Sequence, residues 1–91
     1  MQYSNKADLY TKTLGSVIRK HRLKNKKSMY LISAESSIAK SSWREIELGS
    51  RDTSLSTFCK IAEGLGIPAD ELLRELLNDL GKNFSFTDLN N

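Results

Sequence analysis

The chain has 91 residues, 38% of them hydrophobic and 27% charged, which predicts one domain with a single modest core. No apolar run approaches the roughly 18 residues that cross a membrane, and residues 1–10 lack the apolar stretch of a secretory signal, so we expect a cytoplasmic protein with no membrane partner. One cysteine excludes an internal disulfide and one histidine excludes most metal sites. We expect no metal, no cofactor and no small-molecule substrate.

The net charge of +3 conceals an asymmetry between the two halves of the chain. Residues 1–51 carry eleven Lys/Arg against four Asp/Glu, whereas residues 52–91 carry three against seven. A basic front half predicts a surface oriented towards a polyanion, although a solvated charged face would have the same composition.

Helical periodicity dominates the chain, and the first helix has an inward stripe at three- and four-residue spacing. Thr13 or Asp8 is expected to cap its beginning, and Asn25 is the best candidate for a left-handed residue at its end. The stripe consists of Leu9, Leu14, Val17, Ile18, Arg22 and Leu23.

Two short helices follow, joined by a tight turn. Ser28 is expected to cap the second helix, and the small polar residues around Ser37 predict the turn. The third helix is predicted from about Lys40 to a stop at Gly49. Two helices joined by a three- or four-residue turn have the layout of a helix-turn-helix.

The last two helices have clear boundary signals. Ser54 is expected to cap the fourth helix and Gly66 to end it, while Pro68 suits the first turn of the fifth helix, which ends at Gly81. The prediction is therefore an all-α bundle of five helices: residues 1–12 form an N-terminal extension that is part of helix 1 or flexible, residues 13–80 the domain, and residues 81–91 a C-terminal tail. The apolar face of the fourth helix consists of Leu55, Phe58, Cys59, Ala62 and Leu65.

The third helix separates into two faces when it is drawn as a helical wheel. With Trp43 at the centre of the inward face, Ile46 and Glu47 share that face. The outer face carries short or hydrogen-bonding side chains, which suits a helix that lies in the major groove of DNA. Alternatively, these side chains only solvate an exposed helix. The outward residues are Ser41, Ser42, Arg44 and Glu45.

Glu47 needs a partner because burying an unpaired carboxylate is very costly. Arg22 is the basic residue on the inward stripe of the first helix. We predict an Arg22–Glu47 ion pair that joins helices 1 and 3 and has a structural rather than a catalytic role.

The chain resembles the helix-turn-helix domains of the phage repressor and Cro type over about residues 13–73. The residues that carry the resemblance are "IRKHRLKN" with Arg22, Ser28, Ile38, "IELG" at 46–49, "SLSTFCKIAEGLGI" and "ADELL". It implies a five-helix, lambda-repressor-like DNA-binding domain with the helix-turn-helix at helices 2 and 3. Departures from the family are Met29 in place of Gln, Ser37 in place of the turn glycine, Ser36 in place of a core leucine, and Trp43 in place of a smaller aliphatic residue.

The resemblance also implies roles for individual residues. Arg51 falls where members touch a phosphate, and Arg22 and Glu47 match a buried ion pair. Backbone N–H groups at Ser28 and Met29 are placed to hold a phosphate, and Lys26 and Lys27 lie near the same junction. The positions that match base contacts are Lys40, Ser41, Ser42, Arg44 and Glu45.

A single domain of this kind contacts few base pairs, so we expect a homodimer. Leu76, Leu77 and Leu80 are the candidates for the two-fold contact, with Phe84 and Phe86 from the tail; alternatively, these leucines only seal the domain's own core.

The predicted function is a sequence-specific regulator of transcription, such as a restriction-modification controller or a small repressor, bound to double-stranded DNA at an operator with two half-sites. The alternative is an antitoxin-like interaction module that binds a partner protein through its tail. An enzyme is not expected, because His21 lies in a basic run, Cys59 lies on an apolar helix face, and no carboxylate pair has an evident cleft.

Overall fold

The computed structural model describes residues 6–89 and contains, within that range, helices and no β-strand. This confirms the all-α prediction. The five helices are α1 (Lys6–Lys24), α2 (Met29–Ser36), α3 (Lys40–Leu48), α4 (Leu55–Leu65) and α5 (Ala69–Leu80), followed by a 3₁₀ turn at Phe86–Asp88.

The predicted caps of the central helices are confirmed. The Oγ atoms of Ser28 and Ser54 accept hydrogen bonds from the backbone N–H groups of Leu31 and Thr57, each at 3.1 Å. Ser37 adopts a left-handed conformation at φ 58°, and Gly49 ends α3 at φ 79°. The backbone N–H of each left-handed residue bonds carbonyls in the last turn of its helix. The short turn at Ser37 therefore holds α2 and α3 in a fixed relation.

Several expectations about α1 are wrong. Helix α1 already includes Lys6, so Asp8 and Thr13 lie inside it rather than at its cap. The left-handed residue after α1 is Lys26, at φ 57°, because the backbone N–H of Asn25 still bonds the carbonyl of His21 at 3.1 Å and so continues the helix by one residue. The side chain of Asn25 donates from Nδ2 to the carbonyl of Leu65 at 3.0 Å. Leu23 is 48% exposed, because Arg22 takes the inward position in the last turn.

Two expectations on α4 and α5 also need correction. Leu55 is 77% exposed because it is the first residue of α4 and lies beyond the edge of the core. Pro68 precedes α5 as its N-cap residue instead of standing in the first turn. Since Pro68 has no N–H to leave unpaired, either position suits it.

The core joins all five helices, and α1 packs against both α3 and α5. Gly15 allows the close approach of α1 to α3, since a Cβ atom there would lie 2.4 Å from the carbonyl oxygen of Ile46. The helix-turn-helix is therefore held against α1 at a fixed depth. The buried hydrophobic residues are Leu14, Val17, Ile18, Ile32, Ile38, Trp43, Ile46, Phe58, Ile61, Ala62, Leu65, Leu72 and Leu76.

Between residues 6 and 89, no helix combines the length and the apolar character that crossing a membrane requires.

Candidate nucleic-acid interface

The inward face of α3 anchors the helix in the core. Trp43 is fully buried and Ile46 is 2% exposed. The indole Nε1 of Trp43 donates to Oε2 of Glu47 at 2.6 Å, one turn along the same helix. An indole N–H in an apolar core needs an acceptor, and Glu47 supplies one. The orientation of α3 about its own axis is therefore fixed by packing and by a hydrogen bond.

Arg22 and Glu47 form a two-point ion pair between α1 and α3. Nε of Arg22 donates to Oε2 at 2.5 Å and Nη2 donates to Oε1 at 2.9 Å. A third donor, Nη1, bonds the carbonyl of Lys27 at 2.9 Å, which ties the pair to the start of α2. The hydrogen bond to the Glu47 carboxylate raises the pKa of Arg22, so the guanidinium remains charged. Helices 1, 2 and 3 thus meet at one buried polar cluster.

Apart from Leu48, which is 57% exposed, the outward face of α3 is polar, and it is accessible. Ser41, Arg44 and Glu45 are exposed, and so is Lys40 at the first position of the helix. Ser42 is half-buried beside the following loop. The structure therefore places the five predicted base-contact residues along one accessible surface, and they begin at the N-terminal end of the helix.

Arg51 follows α3 in the loop and folds back onto that surface. Its Nη1 atom donates to Oε1 of Glu45 at 2.9 Å and to Oγ of Ser42 at 3.2 Å. All three side chains were predicted to contact DNA, but the mutual contact was not predicted. The contact brings Arg51, which was expected at a phosphate, against Ser42 and Glu45, which were expected at bases.

The residues predicted at the junction of α1 and α2 are not equivalent. Lys26 is exposed, whereas the ammonium of Lys27 donates to Oε1 of Glu35 at 2.6 Å and to the carbonyl of Gly64 at 3.1 Å. Lys27 therefore already has a counter-charge within the domain. The Met29 side chain packs against the core, so only its backbone N–H remains available for a phosphate at this end of α2.

A polar cleft of about 330 Å³ lies between α3 and the start of α4. Ser42 and Arg51 line it on one side, and Thr57 and Lys60 on the other. Sequence reasoning missed Lys60, because only the fold brings α4 beside α3. The available signal was a basic residue three positions after Thr57, on the same side of an otherwise apolar helix.

The three leucines predicted at a two-fold contact have different environments. Leu76 is 3% exposed and belongs to the domain core, so the prediction of a contact with a second copy is wrong for this residue. Leu80 is half-buried and packs against the core, whereas Leu77 is 43% exposed. Leu73, one turn before Leu77, is 42% exposed and was not predicted.

The C-terminal tail packs against the N-terminal part of α1. The ring of Phe86 meets Tyr10 edge-on at 5.4 Å and Phe84 at 4.9 Å between centroids. Nζ of Lys6 lies 3.3 Å from Oδ2 of Asp88. The tail segment that sequence analysis offered for a partner protein therefore has contacts within its own chain as far as the structure describes it.

Tyr10 connects this tail contact to the loop after α3. Its hydroxyl donates to Oδ1 of Asp52 at 2.7 Å, and Asp52 is the neighbour of Arg51. Burial, and then the hydrogen bond to Asp52, raise the pKa of Tyr10 above its ordinary value, which keeps the phenol a donor into the alkaline range. The loop at 50–54 is thus held from both sides, by α3 and by α1.

The residues considered for catalysis are occupied in other ways. His21 Nε2 lies 2.6 Å from Oε1 of Glu75, and Cys59 is half-buried on α4. In the part of the chain that the structure describes, no three His, Cys, Asp or Glu side chains form a group able to hold a metal ion.

Comparisons with known proteins agree with this geometry. A family model described as a helix-turn-helix domain matches residues 15–76. No match was found among curated proteins.

Similar solved structures include the restriction-modification controller protein C.AhdI from Aeromonas hydrophila, with 27% identity, a TM-score of 0.66, and coverage of 68% of this chain and 94% of that one. The clp gene regulator ClgR from Corynebacterium glutamicum has 18% identity, a TM-score of 0.71 and coverage of 78% and 76%. The controller protein C.Esp1396I, solved as a tetramer with its natural 35 base-pair operator, has 20% identity, a TM-score of 0.73 and coverage of 80% and 96%.

Proposed function

The chain belongs to the helix-turn-helix domain family, and on that basis we propose that it is a sequence-specific regulator of transcription that binds double-stranded DNA as a homodimer. The observation that carries the proposal is the division of α3 into a fully anchored inner face and an accessible polar outer face. The resemblance in fold to a controller protein solved on its operator supports the same function.

The dimensions of α3 suit the major groove. A helix with its side chains is about 10–12 Å in diameter, which fits the roughly 12 Å width of the major groove of B-DNA, and its nine residues give α3 about 13.5 Å of length along the groove. We assign base contacts to the outward residues of its first turns, where short serines permit close approach and Arg44 can donate to both acceptors of a guanine. The assigned residues are Lys40, Ser41, Ser42 and Arg44; Glu45, which was also predicted there, pairs with Arg51.

Phosphate contacts are assigned to the two ends of the helix-turn-helix. Lys26 and the backbone N–H groups after Ser28 lie at the start of α2, where the N–H groups and the helix dipole favour an anion. Lys27 contributes there only after it exchanges its contact with Glu35 for one with DNA. Arg51 lies at the other end, after α3.

A homodimer is proposed through α5. Leu77 and Leu80 are the predicted residues that retain accessible surface, and Leu73 extends the same side of the helix by one turn. Two copies related by a two-fold axis would contact half-sites about one or more DNA turns apart. Sedimentation velocity of Leu73→Asp/Leu77→Asp should give a monomer, whereas a dimer unchanged in this variant would contradict the interface.

Selection of bound duplexes from a random pool tests the function itself. We expect enrichment of one motif with two related halves, bound with strong salt dependence. Arg44→Ala should lose about tenfold or more in affinity and relax the preference at one base pair. Arg74→Ala, which removes the same charge from α5, should not relax any position. A pool without enrichment would contradict the proposal.

A further inference from the structure

The pair formed by Glu45 and Arg51 lies on the face proposed to meet DNA, and its two members have opposite expected effects there. A carboxylate on a DNA-facing surface repels the phosphates unless it has a partner. Glu45 is 53% and Arg51 52% exposed at the side chain, so both are within reach of a ligand. The structure gives Glu45 its partner before any DNA is present.

The geometry of the pair leaves part of the guanidinium available. Both described hydrogen bonds of Arg51, to Glu45 and to Ser42, leave from the single nitrogen Nη1. The edge formed by Nε and Nη2 makes no hydrogen bond to any of the described residues, so it is available to a ligand. That edge is the two-donor fork that matches two neighbouring acceptors.

We infer, on the premise of the proposed DNA contact, that Glu45 is a positioning residue for Arg51 and does not itself accept from a cytosine. Together with Ser42 it holds the guanidinium across the outer face of α3, with the Nε/Nη2 edge towards DNA. The ligand of that edge is a pair of acceptors, either two oxygens of a phosphate or N7 and O6 of a guanine. Arg51 carries the DNA contact, and Glu45 acts through it.

The chain length between the two residues explains why positioning is needed. Arg51 stands two residues after Gly49, in a loop outside the regular helix, and an arginine there has many side-chain conformations. A carboxylate and a hydroxyl on the preceding helix select one of them. When DNA covers the surface and excludes water, the same pair strengthens because the local dielectric falls.

The direction in which Glu45→Ala changes the affinity for DNA, with and without Arg51, separates positioning from direct contact. The probe is the duplex selected from the random pool by the unaltered chain, and its dissociation constant is measured by fluorescence anisotropy for Glu45→Ala, Arg51→Ala and the double variant. We expect Glu45→Ala to weaken binding about tenfold, as the loss of an oriented arginine contact would. In the Arg51→Ala background the same change should leave binding unweakened or make it tighter, since only repulsion is removed.

Two further variants sharpen the test. Glu45→Gln retains an oxygen that accepts from Arg51, so it should keep the affinity that Glu45→Ala loses. Glu71→Ala removes one negative charge from α5 and should not weaken binding. Melting temperatures should be equal for all Glu45 variants, because the pair is exposed.

The outcomes that overturn the inference are distinct. If Glu45→Ala tightens binding in both backgrounds, the pair has no positioning role. If it weakens binding equally in both backgrounds and relaxes one C·G pair, Glu45 contacts the base directly. A failure to select any duplex would instead contradict the proposed function, before Glu45 is tested.

The ligand of Arg51 follows from the same measurements. A phosphate contact predicts that Arg51→Ala lowers the slope of log affinity against log salt by about one, with uniform loss over sequences. A guanine contact predicts loss of discrimination at one position with little change in slope. Either result supports a DNA contact by Arg51. If Arg51→Ala shows neither of these two changes, that contact is overturned.

Discussion

The two glutamates of helix α3 lie on different faces, and each pairs with an arginine from outside the helix. The two pairs differ in burial rather than in chemistry. In the pair between Arg22 and Glu47 the side chains are 10% and 2% exposed, whereas in the pair between Arg51 and Glu45 they are 52% and 53% exposed. The first joins three helices inside the domain, and the second lies in solvent on the proposed DNA face.

The difference shows how one short helix separates stability from recognition. Inside the protein, desolvation makes each charge dependent on its partner, so loss of one leaves an uncompensated charge. Outside, water solvates either charge when its partner is removed, and the pair contributes little to the free energy of unfolding. Substitutions in the exposed pair therefore cost little free energy of unfolding, whereas substitutions in the buried pair cost much.

Glu47→Ala should have the largest effect, because it leaves Nε and Nη2 of Arg22 and the Trp43 indole N–H without their acceptor. We expect a loss of about 3–5 kcal/mol in the free energy of unfolding. Chemical denaturation measures it. Arg22→Met/Glu47→Leu, which removes both charges, should recover part of that loss, and an unchanged midpoint for Glu47→Ala would contradict the structural role of the pair.

Tyr10→Phe should have an intermediate effect. It removes the hydroxyl that donates to Asp52 and keeps the ring that contacts Phe86. We expect a loss of about 0.5–1.5 kcal/mol in thermal or chemical unfolding, the range of a single hydrogen bond. Tyr30, which is 76% exposed, offers a second Tyr→Phe variant for comparison; equal effects in both would argue against a specific contact with the loop.

Glu75 tests a pair of intermediate burial, since it contacts Lys20 and His21 at the junction of α1 and α5. The hydrogen bond from Lys20, followed by that from His21, lowers the pKa of Glu75 below its ordinary value. A lowered carboxyl pKa stabilises the fold above the unfolded pKa, and the stabilisation is lost as pH falls through the folded pKa.

The expected result for Glu75→Gln is therefore a lower melting temperature at neutral pH and a smaller difference from the unaltered chain below about pH 4.5. Melting curves by circular dichroism at a series of pH values measure it. A difference that grows as the pH falls would give the opposite sign and exclude a lowered pKa.

Glu45→Ala should have the smallest effect on stability, within about 0.5 kcal/mol, because both partners remain solvated. The same unfolding measurement that detects Glu47→Ala serves here. A loss comparable to that of Glu47→Ala would remove the distinction between the two pairs, and with it the argument that the outer face of α3 is free for recognition.

The sequence predicted those features of the fold that depend on near neighbours. Ser28, Ser54 and Gly49 act within four residues of their own position, and the two faces of α3 follow from the helical period around Trp43. The features that it missed depend on how far a neighbouring helix covers a residue when the chain folds. Periodicity places Leu76 and Leu77 on an apolar side of α5, but only the packing of α1 and α4 decides that Leu76 is buried and Leu77 is not.

The proposed site shows the same limit. Arg51 and Glu45 were each considered for DNA contact, but their mutual contact crosses the left-handed turn at Gly49, so no helical spacing describes it. The bond from Tyr10 to Asp52 spans 42 residues and is likewise invisible to local patterns.

The burial of Trp43 has a consequence for spectroscopy. It is the single tryptophan of the chain, it is fully buried, and its Nε1 is bonded to the carboxylate that also holds Arg22. Its fluorescence therefore reports the docking of α3 in the core. Unfolding should shift the emission to longer wavelength, whereas a ligand on the opposite face of the same helix leaves the indole in the same environment, so one optical signal follows the scaffold independently of what the scaffold binds.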